Sequence, residues 1–176
     1  MGSGSLRSAN EKRRQSILYI CQAGIIAALY VALLFVFAPI SFGAVQIRVA
    51  EALTILPIFT PAAIPGLFLG CLIGNFLGGG IIIDIIFGSI ATLLGAIGTY
   101  FLRNRNPIFG TIPPIAANTL IVPFVIKFAY ADEMALPLII LAILGGEVLS
   151  CGVLGGMLGF SLKKTKLAFS KEKKEK

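Results

Sequence analysis

The chain has 176 residues, 57% of them hydrophobic and 13% charged, with a formal net charge of +7 and a mean hydropathy of +0.94. A soluble domain of this length cannot enclose so much apolar surface, so lipid is the expected solvent and a single membrane domain the expected content. There is no His, and Cys21, Cys71 and Cys151 stand apart in apolar segments. This argues against the usual metal sites and a disulfide framework, so no metal or cofactor is expected and the thiols read as small packing residues. No Gly-Lys dipeptide occurs, which excludes a Walker A phosphate loop and with it ATP hydrolysis through that motif.

The basic charge does not describe a nucleic-acid surface. Four Lys/Arg precede Ser16 and seven lie from Lys163 onward, with no basic face interleaved with aromatics. Such flanks suit a cytoplasmic boundary beside anionic lipid.

In chain order, residues 1–16 read as a disordered basic leader, of which 1–5 have the look of an expression remnant. An apolar run from Ile17 to Phe37 forms the first expected span. Within it Ala23 and Ala27 are four apart, as are Gly24, Ala28 and Ala32. Small residues at that spacing permit close helix approach, either to a partner or within the chain. A loop follows from Pro39 to Ala50. The apolar stretch Glu51–Gly79 is too long for one span and carries Pro57, Pro61 and Pro65, so it divides into two short helices with a turn near Thr60–Ala63. Gly66, Gly70, Gly74 and Gly78 make a stripe along the second of these.

The fourth helix is expected over about Ile81–Leu102, the fifth from Pro107 to about Phe128, and the sixth over Ala135–Leu162. The fold class is therefore an all-α integral membrane protein of six transmembrane helices over residues 17–162, followed by a basic, disordered cytoplasmic tail at 163–176. Six spans put both termini on one side. With the termini in the cytoplasm, both basic flanks and Arg103 and Arg105 fall inside, while Arg48, Lys127 and Asp132-Glu133 fall outside, as the positive-inside rule requires.

In that topology the intramembrane polar residues gather in the outer half. Asn75, Asp84, Asn118 and Glu147 lie in or near apolar helices, below Gln46, Arg48 and Glu51 in the stretch V-Q-I-R-V-A-E-A-L-T-I-L-P over 45–57. An ionised side chain in hydrocarbon costs roughly 2.5–3.5 kcal/mol on insertion scales, so such groups face protein, water or ligand. The stretch reads as the rim of an outward-facing pocket, although Arg48 and Glu51 could also serve as interfacial anchors. No acidic or amide side chain occurs over 89–100 or 149–162, so the pocket closes inward and a continuous pore is not expected. Three carboxylates, one arginine and several amides suit a small polar ligand with cationic or amidine-like groups. Glu147 is the expected acceptor of a two-donor edge, and Asp84 or Glu51 the partner of an ammonium. Lys127 is the nearest amine to Glu147, at a doubtful depth. Phe42, Phe76, Phe87 and Tyr130 are available for stacking.

The runs QIRVAEALTILP, AIPGLFLGCLIGN and DIIFGSIATLLG, with Gly146-Glu147 in the last helix, resemble the QueT family of substrate-specificity (S) components of energy-coupling factor (ECF) transporters, assigned to queuosine precursors. The likeness extends from the first helix to the sixth, and Q-x-R-x-x-E-A is its most specific part; the stretch around Pro113-Pro114 and Pro123-Phe124 departs from the pattern. The resemblance implies a six-helix S component in a prokaryotic plasma membrane. It would capture a 7-deazaguanine of the preQ1 or queuine kind outside and deliver it inward with an ECF transmembrane subunit and two ATPase subunits. It implies Gln46, Arg48, Glu51, Asn75, Asp84 and Glu147 as binding residues, with Asn118 less firmly attached, and Ala23-x-x-x-Ala27 as the surface that meets the transmembrane partner. Three other readings stand beside it: an S component for another vitamin or a pteridine-like ligand, an intramembrane enzyme, and an assembly protein. The enzyme reading lacks a His and a nucleophile, and the assembly reading leaves Asp84 and Glu147 unexplained.

Overall fold

The segment expected at the rim of the site lies at the centre of the bundle. The computed structural model describes residues 3–41, 47–131 and 133–172, with side chains over 10–41, 47–131 and 133–165. In it Val49–Ile58 forms a 3-10 helix whose residues Ala50–Ile55 and Pro57 are buried. It packs against α1 (Ser3–Val36), α3 (Ala63–Leu77), α4 (Ile82–Phe101), the short α5 (Pro107–Gly110), the π-helical segment Val148–Gly155 and α8 (Gly156–Glu172). The remaining helices are α2 (Ala38–Ser41), α6 (Ile112–Ala129) and α7 (Leu136–Glu147). No strand occurs among the described residues.

Among the described residues, four stretches are long and apolar enough to cross a membrane: Asn10–Val36, Ile82–Phe101, Pro107–Ala129 and Leu136–Thr165. The second and third expected spans appear as the shorter helices Val49–Ile58 and Ala63–Leu77. Fifteen residues of α-helix reach only about 22 Å at 1.5 Å each, short of a hydrocarbon core of roughly 30 Å. Pro57 and Pro61 break the chain on one side of α3. On the other, Gly78-Gly79 ends it, with Gly79 at φ +78. Ten residues of 3-10 helix rise about 20 Å, which carries the central segment further than an α-helix of equal length would.

Helix α1 begins at Ser3, so the basic residues Lys12, Arg13 and Arg14 lie within it instead of in a disordered leader. Likewise α8 continues to Glu172, into the expected tail. Once the buried turns have nucleated a helix, each further residue adds a hydrogen bond, which lets the helix run past its apolar part.

The glycine stripe of α3 is a seam with α1. A Cβ on Gly66 would stand 2.7 Å from the Ala23 carbonyl oxygen, and one on Gly70 would stand 2.7 Å from Tyr30 Cβ. Leu34 closes on Gly74 in the same way. On the far side of α4, a Cβ on Gly95 would lie 2.6 Å from Pro114 Cα, so the paired prolines of α6 fit against glycines. In α8, Gly159 faces Ile55, which presses the central helix from the other direction.

This seam corrects one expectation. Ala23 and Ala27 are buried against α3 and do not form an outer face of α1. Gly24, Ala28 and Ala32 lie on an exposed face of that helix. The rest of the surface carries large apolar side chains such as Ile82, Phe101 and Phe128, while Glu51, Asn75, Thr92 and Glu147 are buried. Apolar outside and polar inside is the arrangement for a lipid solvent.

Candidate functional site

Most polar residues of the interior join one hydrogen-bonded network around Glu51, with the Asp84–Tyr130 pair and Arg48 outside it. Arg48 is the extended residue that starts the 3-10 helix, and Glu51 lies in its first turn, with its backbone N–H donating to Arg48 O at 2.8 Å. That turn carries the Glu51 carboxylate into the bundle, where the residue is 1% exposed. The Tyr30 hydroxyl of α1 donates to Glu51 Oε1, and Thr92 Oγ1 of α4 lies 3.4 Å from the same oxygen. Glu51 Oε2 has no partner.

Thr92 also reaches Cys71 Sγ at 3.3 Å, and Asn75 Nδ2 approaches that sulfur at 3.5 Å. Asn75 Oδ1, 1% exposed as a residue, is left without a partner. Gly88 makes room for this arrangement: a Cβ there would lie 3.1 Å from Asn75 Nδ2 and 3.5 Å from Asp84 Oδ1. Asp84, in the first turn of α4, accepts from the Tyr130 hydroxyl at 3.0 Å. Tyr130 in turn accepts from Ile81 N at 3.3 Å, so the end of α6 is tied to the start of α4.

Glu147 closes the other side. Asn118 Nδ2 donates to its Oε1 at 3.0 Å, and Cys151 Sγ donates to its Oε2 at 3.1 Å. Ligand-type atoms of Glu51, Glu147 and Cys151 all lie within 4.8 Å of one another. That is close enough to hold a metal ion, but the thiol and both Glu147 oxygens are engaged within the network. The π-helical segment starts at the residue after Glu147, and its wider turn places Cys151 beneath both carboxylates. A π segment inside a helix commonly accompanies a functional site.

Arg48 is 7% exposed, and among the described residues its guanidinium makes neither a hydrogen bond nor an ion pair; its Nε is without a partner. It lies in the field of Asp84 and Glu51 at longer range. A buried cation held only by such a field is poised for an additional partner, because an uncompensated buried charge is costly. Arg48, Asn118, Val122, Ile143 and Glu147 line a cavity of only about 10 Å³, room for about one water molecule. A larger groove of about 410 Å³ runs between α4 and α6, but Ile83, Phe87, Leu120, Ile121, Phe124, Val125, Phe128 and Ala129 give it no polar group for recognition.

Of the expected site residues, Arg48, Glu51, Asn75, Asp84, Asn118 and Glu147 are all buried. Glu51, Asn75, Asn118 and Glu147 belong to the network, Arg48 lines the cavity beside it, and Asp84 pairs with Tyr130 apart from both. Gln46 and Phe42 lie outside the described residues. Lys127 donates to Met134 O at 3.0 Å, in the connection between α6 and α7. Phe76 and Phe87 face outward, and Tyr130 is committed to Asp84. The reading of Glu51 as a rim residue is corrected to a central one, and two of the three cysteines join the network. Tyr30, Cys71, Thr92, Cys151 and Thr54, whose hydroxyl donates to Glu51 O at 2.6 Å, were not legible as members, yet each had a signal. Thr92 is two turns from Asp84, Cys151 one turn from Glu147, Cys71 one turn from Asn75, and Thr54 one turn from Glu51. Tyr30 follows Ala23 and Ala27 on one helical face.

Comparisons with curated proteins and with solved structures give no match. A family model described as QueT transporter matches residues 20–164. That range takes in every member of the polar network and most of the bundle that buries it. The chain accordingly belongs to the QueT transporter family, and is a membrane transport component with its polar site enclosed among apolar helices.

Proposed function

We propose that the chain is the substrate-binding S component of an ECF-type importer, with six membrane-spanning segments and both termini in the cytoplasm. In this reading it takes up a queuosine precursor, a 7-deazaguanine, from outside. It passes the ligand inward together with an ECF transmembrane subunit and two ATPase subunits. The observation that carries the ligand reading is a buried pair of carboxylates, Glu51 and Glu147, with an unpaired Arg48 beside them. In a lipid-embedded bundle such groups are expensive unless a polar ligand uses them. A deazaguanine offers N–H donors for a carboxylate and a carbonyl for a guanidinium. The lack of a Walker A motif fits a component energised by separate ATPases.

The exposed face of α1 at Gly24, Ala28 and Ala32 is the surface we assign to the transmembrane partner, in place of Ala23 and Ala27. Small side chains there let a partner helix approach closely.

Titration of the purified chain with 7-deazaguanine and its 7-aminomethyl derivative tests the reading, beside a pterin and unrelated vitamins. Saturable binding of the deazaguanines supports it. Binding of another vitamin in their place assigns a different ligand, and a flat response to all of them removes the binding role.

A further inference from the structure

Two side-chain atoms of the network and one of the neighbouring Arg48 are buried without partners. Glu51 Oε2 and Asn75 Oδ1 accept, whereas Arg48 Nε donates. The residues that carry them are 1%, 1% and 7% exposed. An unmet polar atom in such a place is costly, so each of these three atoms is suited to a ligand group that completes it. Glu147 does not show this vacancy, since Asn118 and Cys151 already donate to its two oxygens.

Glu51 has one oxygen free because its other oxygen is held. The Tyr30 hydroxyl donates to Oε1, and Tyr30 is itself fully buried, with its Cβ set against Gly70 of α3. Thr92 lies on the same oxygen from α4. The carboxylate is thus clamped from two helices, and this aims Oε2 without further ordering when a ligand arrives. A preorganised acceptor saves the entropy of fixing the side chain on binding.

We infer that Tyr30 is a positioning residue for substrate recognition: it holds Glu51 so that Glu51 Oε2, with Asn75 Oδ1 and Arg48 Nε, reads a ligand edge carrying two N–H donors and one carbonyl acceptor. The 2-amino-6-oxo edge of a 7-deazaguanine has that pattern. The inference rests on the deazaguanine reading above and adds which carboxylate reads the edge and which residue aims it.

The test is the affinity of wild type and of Tyr30→Phe for three probes: 7-deazaguanine, 7-deazahypoxanthine, which lacks the 2-amino donor, and 2,6-diamino-7-deazapurine, which exchanges the carbonyl acceptor for an amino donor and the ring N–H donor for a ring-nitrogen acceptor. Thermal melts of ligand-free protein are recorded alongside. Wild type should prefer 7-deazaguanine to either analogue by at least about tenfold, the discrimination a site built on hydrogen bonds gives. Tyr30→Phe keeps the ring against Gly70 and removes only the hydroxyl. It should bind 7-deazaguanine about tenfold more weakly and lose most of the preference over 7-deazahypoxanthine. A structural role alone would weaken all three probes alike and leave the preference intact; that result overturns the inference. So does Tyr30→Phe binding within about twofold of wild type. If Tyr30→Phe proves too unstable to titrate, Thr92→Val, which removes the second hydroxyl on the same oxygen, must show the same loss of preference, and its failure to do so counts against the inference equally. Absence of binding by wild type to every probe overturns the deazaguanine reading and this inference together. Tight wild-type binding with unaltered selectivity in the variants overturns this inference alone.

Discussion

Asn118 donates its amide to Glu147 across the interface of α6 and α7, at 3.0 Å. With the Cys151 thiol at 3.1 Å on the other oxygen, Glu147 is satisfied by the protein before any ligand arrives. Glu51 is satisfied at one oxygen only. The two carboxylates are neighbours, yet they are in different chemical situations.

That difference orders two substitutions. Glu51→Gln replaces a charged acceptor that faces a vacancy and should cost about 2–3 kcal/mol of ligand binding, the range for hydrogen bonds to charged groups. Glu147→Gln should also weaken binding, but less, because Asn118 can turn its amide to present its carbonyl to the introduced NH₂ group. Titration of both purified variants decides between them, and a larger loss at Glu147 would make it the reading carboxylate.

Arg48→Ala should weaken ligand binding by at least tenfold, about 1.4 kcal/mol. Arg48→Lys should restore little, because an ammonium lacks the Nε–H and the planar fork of the guanidinium. The measurement is the same titration, and a loss under about twofold for Arg48→Ala would leave Arg48 as an anchor outside the recognition set.

Adjacent alanines of α1 should behave in opposite ways. Ala27→Leu adds volume where the Ala27 carbonyl oxygen already stands 3.1 Å from the Cβ position of Gly70. It should lower the melt in detergent by an overpacking cost of about 1–3 kcal/mol. Ala28→Leu lies on the exposed face and should leave the melt and ligand affinity unchanged while reducing uptake in cells that carry the whole importer. Uptake at the wild-type level would remove this face from the partner surface.

Glycines divide in a similar way. Gly70→Ala drives a methyl to 2.7 Å from Tyr30 Cβ, so it should both destabilise the bundle and weaken ligand binding by displacing Tyr30. Gly156, at helical dihedrals of φ −60 and ψ −49, has nothing within 4 Å of a Cβ. Gly156→Ala should be neutral or stabilising, by up to about 1 kcal/mol. Thermal melts of the two variants, with titration of the first, check both statements.

Composition and local spacing determined much of this protein from the sequence alone. The apolar runs marked the helices, Pro57 and Pro61 divided the second from the third, and the rarity of charges inside those runs picked out Arg48, Glu51, Asp84 and Glu147. These are properties of one segment at a time, and the cost of a polar group in hydrocarbon makes them conspicuous. The tertiary structure decided how each helix is turned about its axis. One residue is a rotation of about 100°, which is enough to bury Ala27 and expose Ala28. In α1 that rotation is set by the glycines of α3, which accept Ala23, Tyr30 and Leu34 at distances no larger residue would allow. Tyr30 reaches Glu51 as a consequence. The partners Tyr30–Glu51 and Asn118–Glu147 are 21 and 29 residues apart in the chain, with no repeating pattern to link them. They meet because close packing of the helices brings donors from distant segments onto each buried carboxylate.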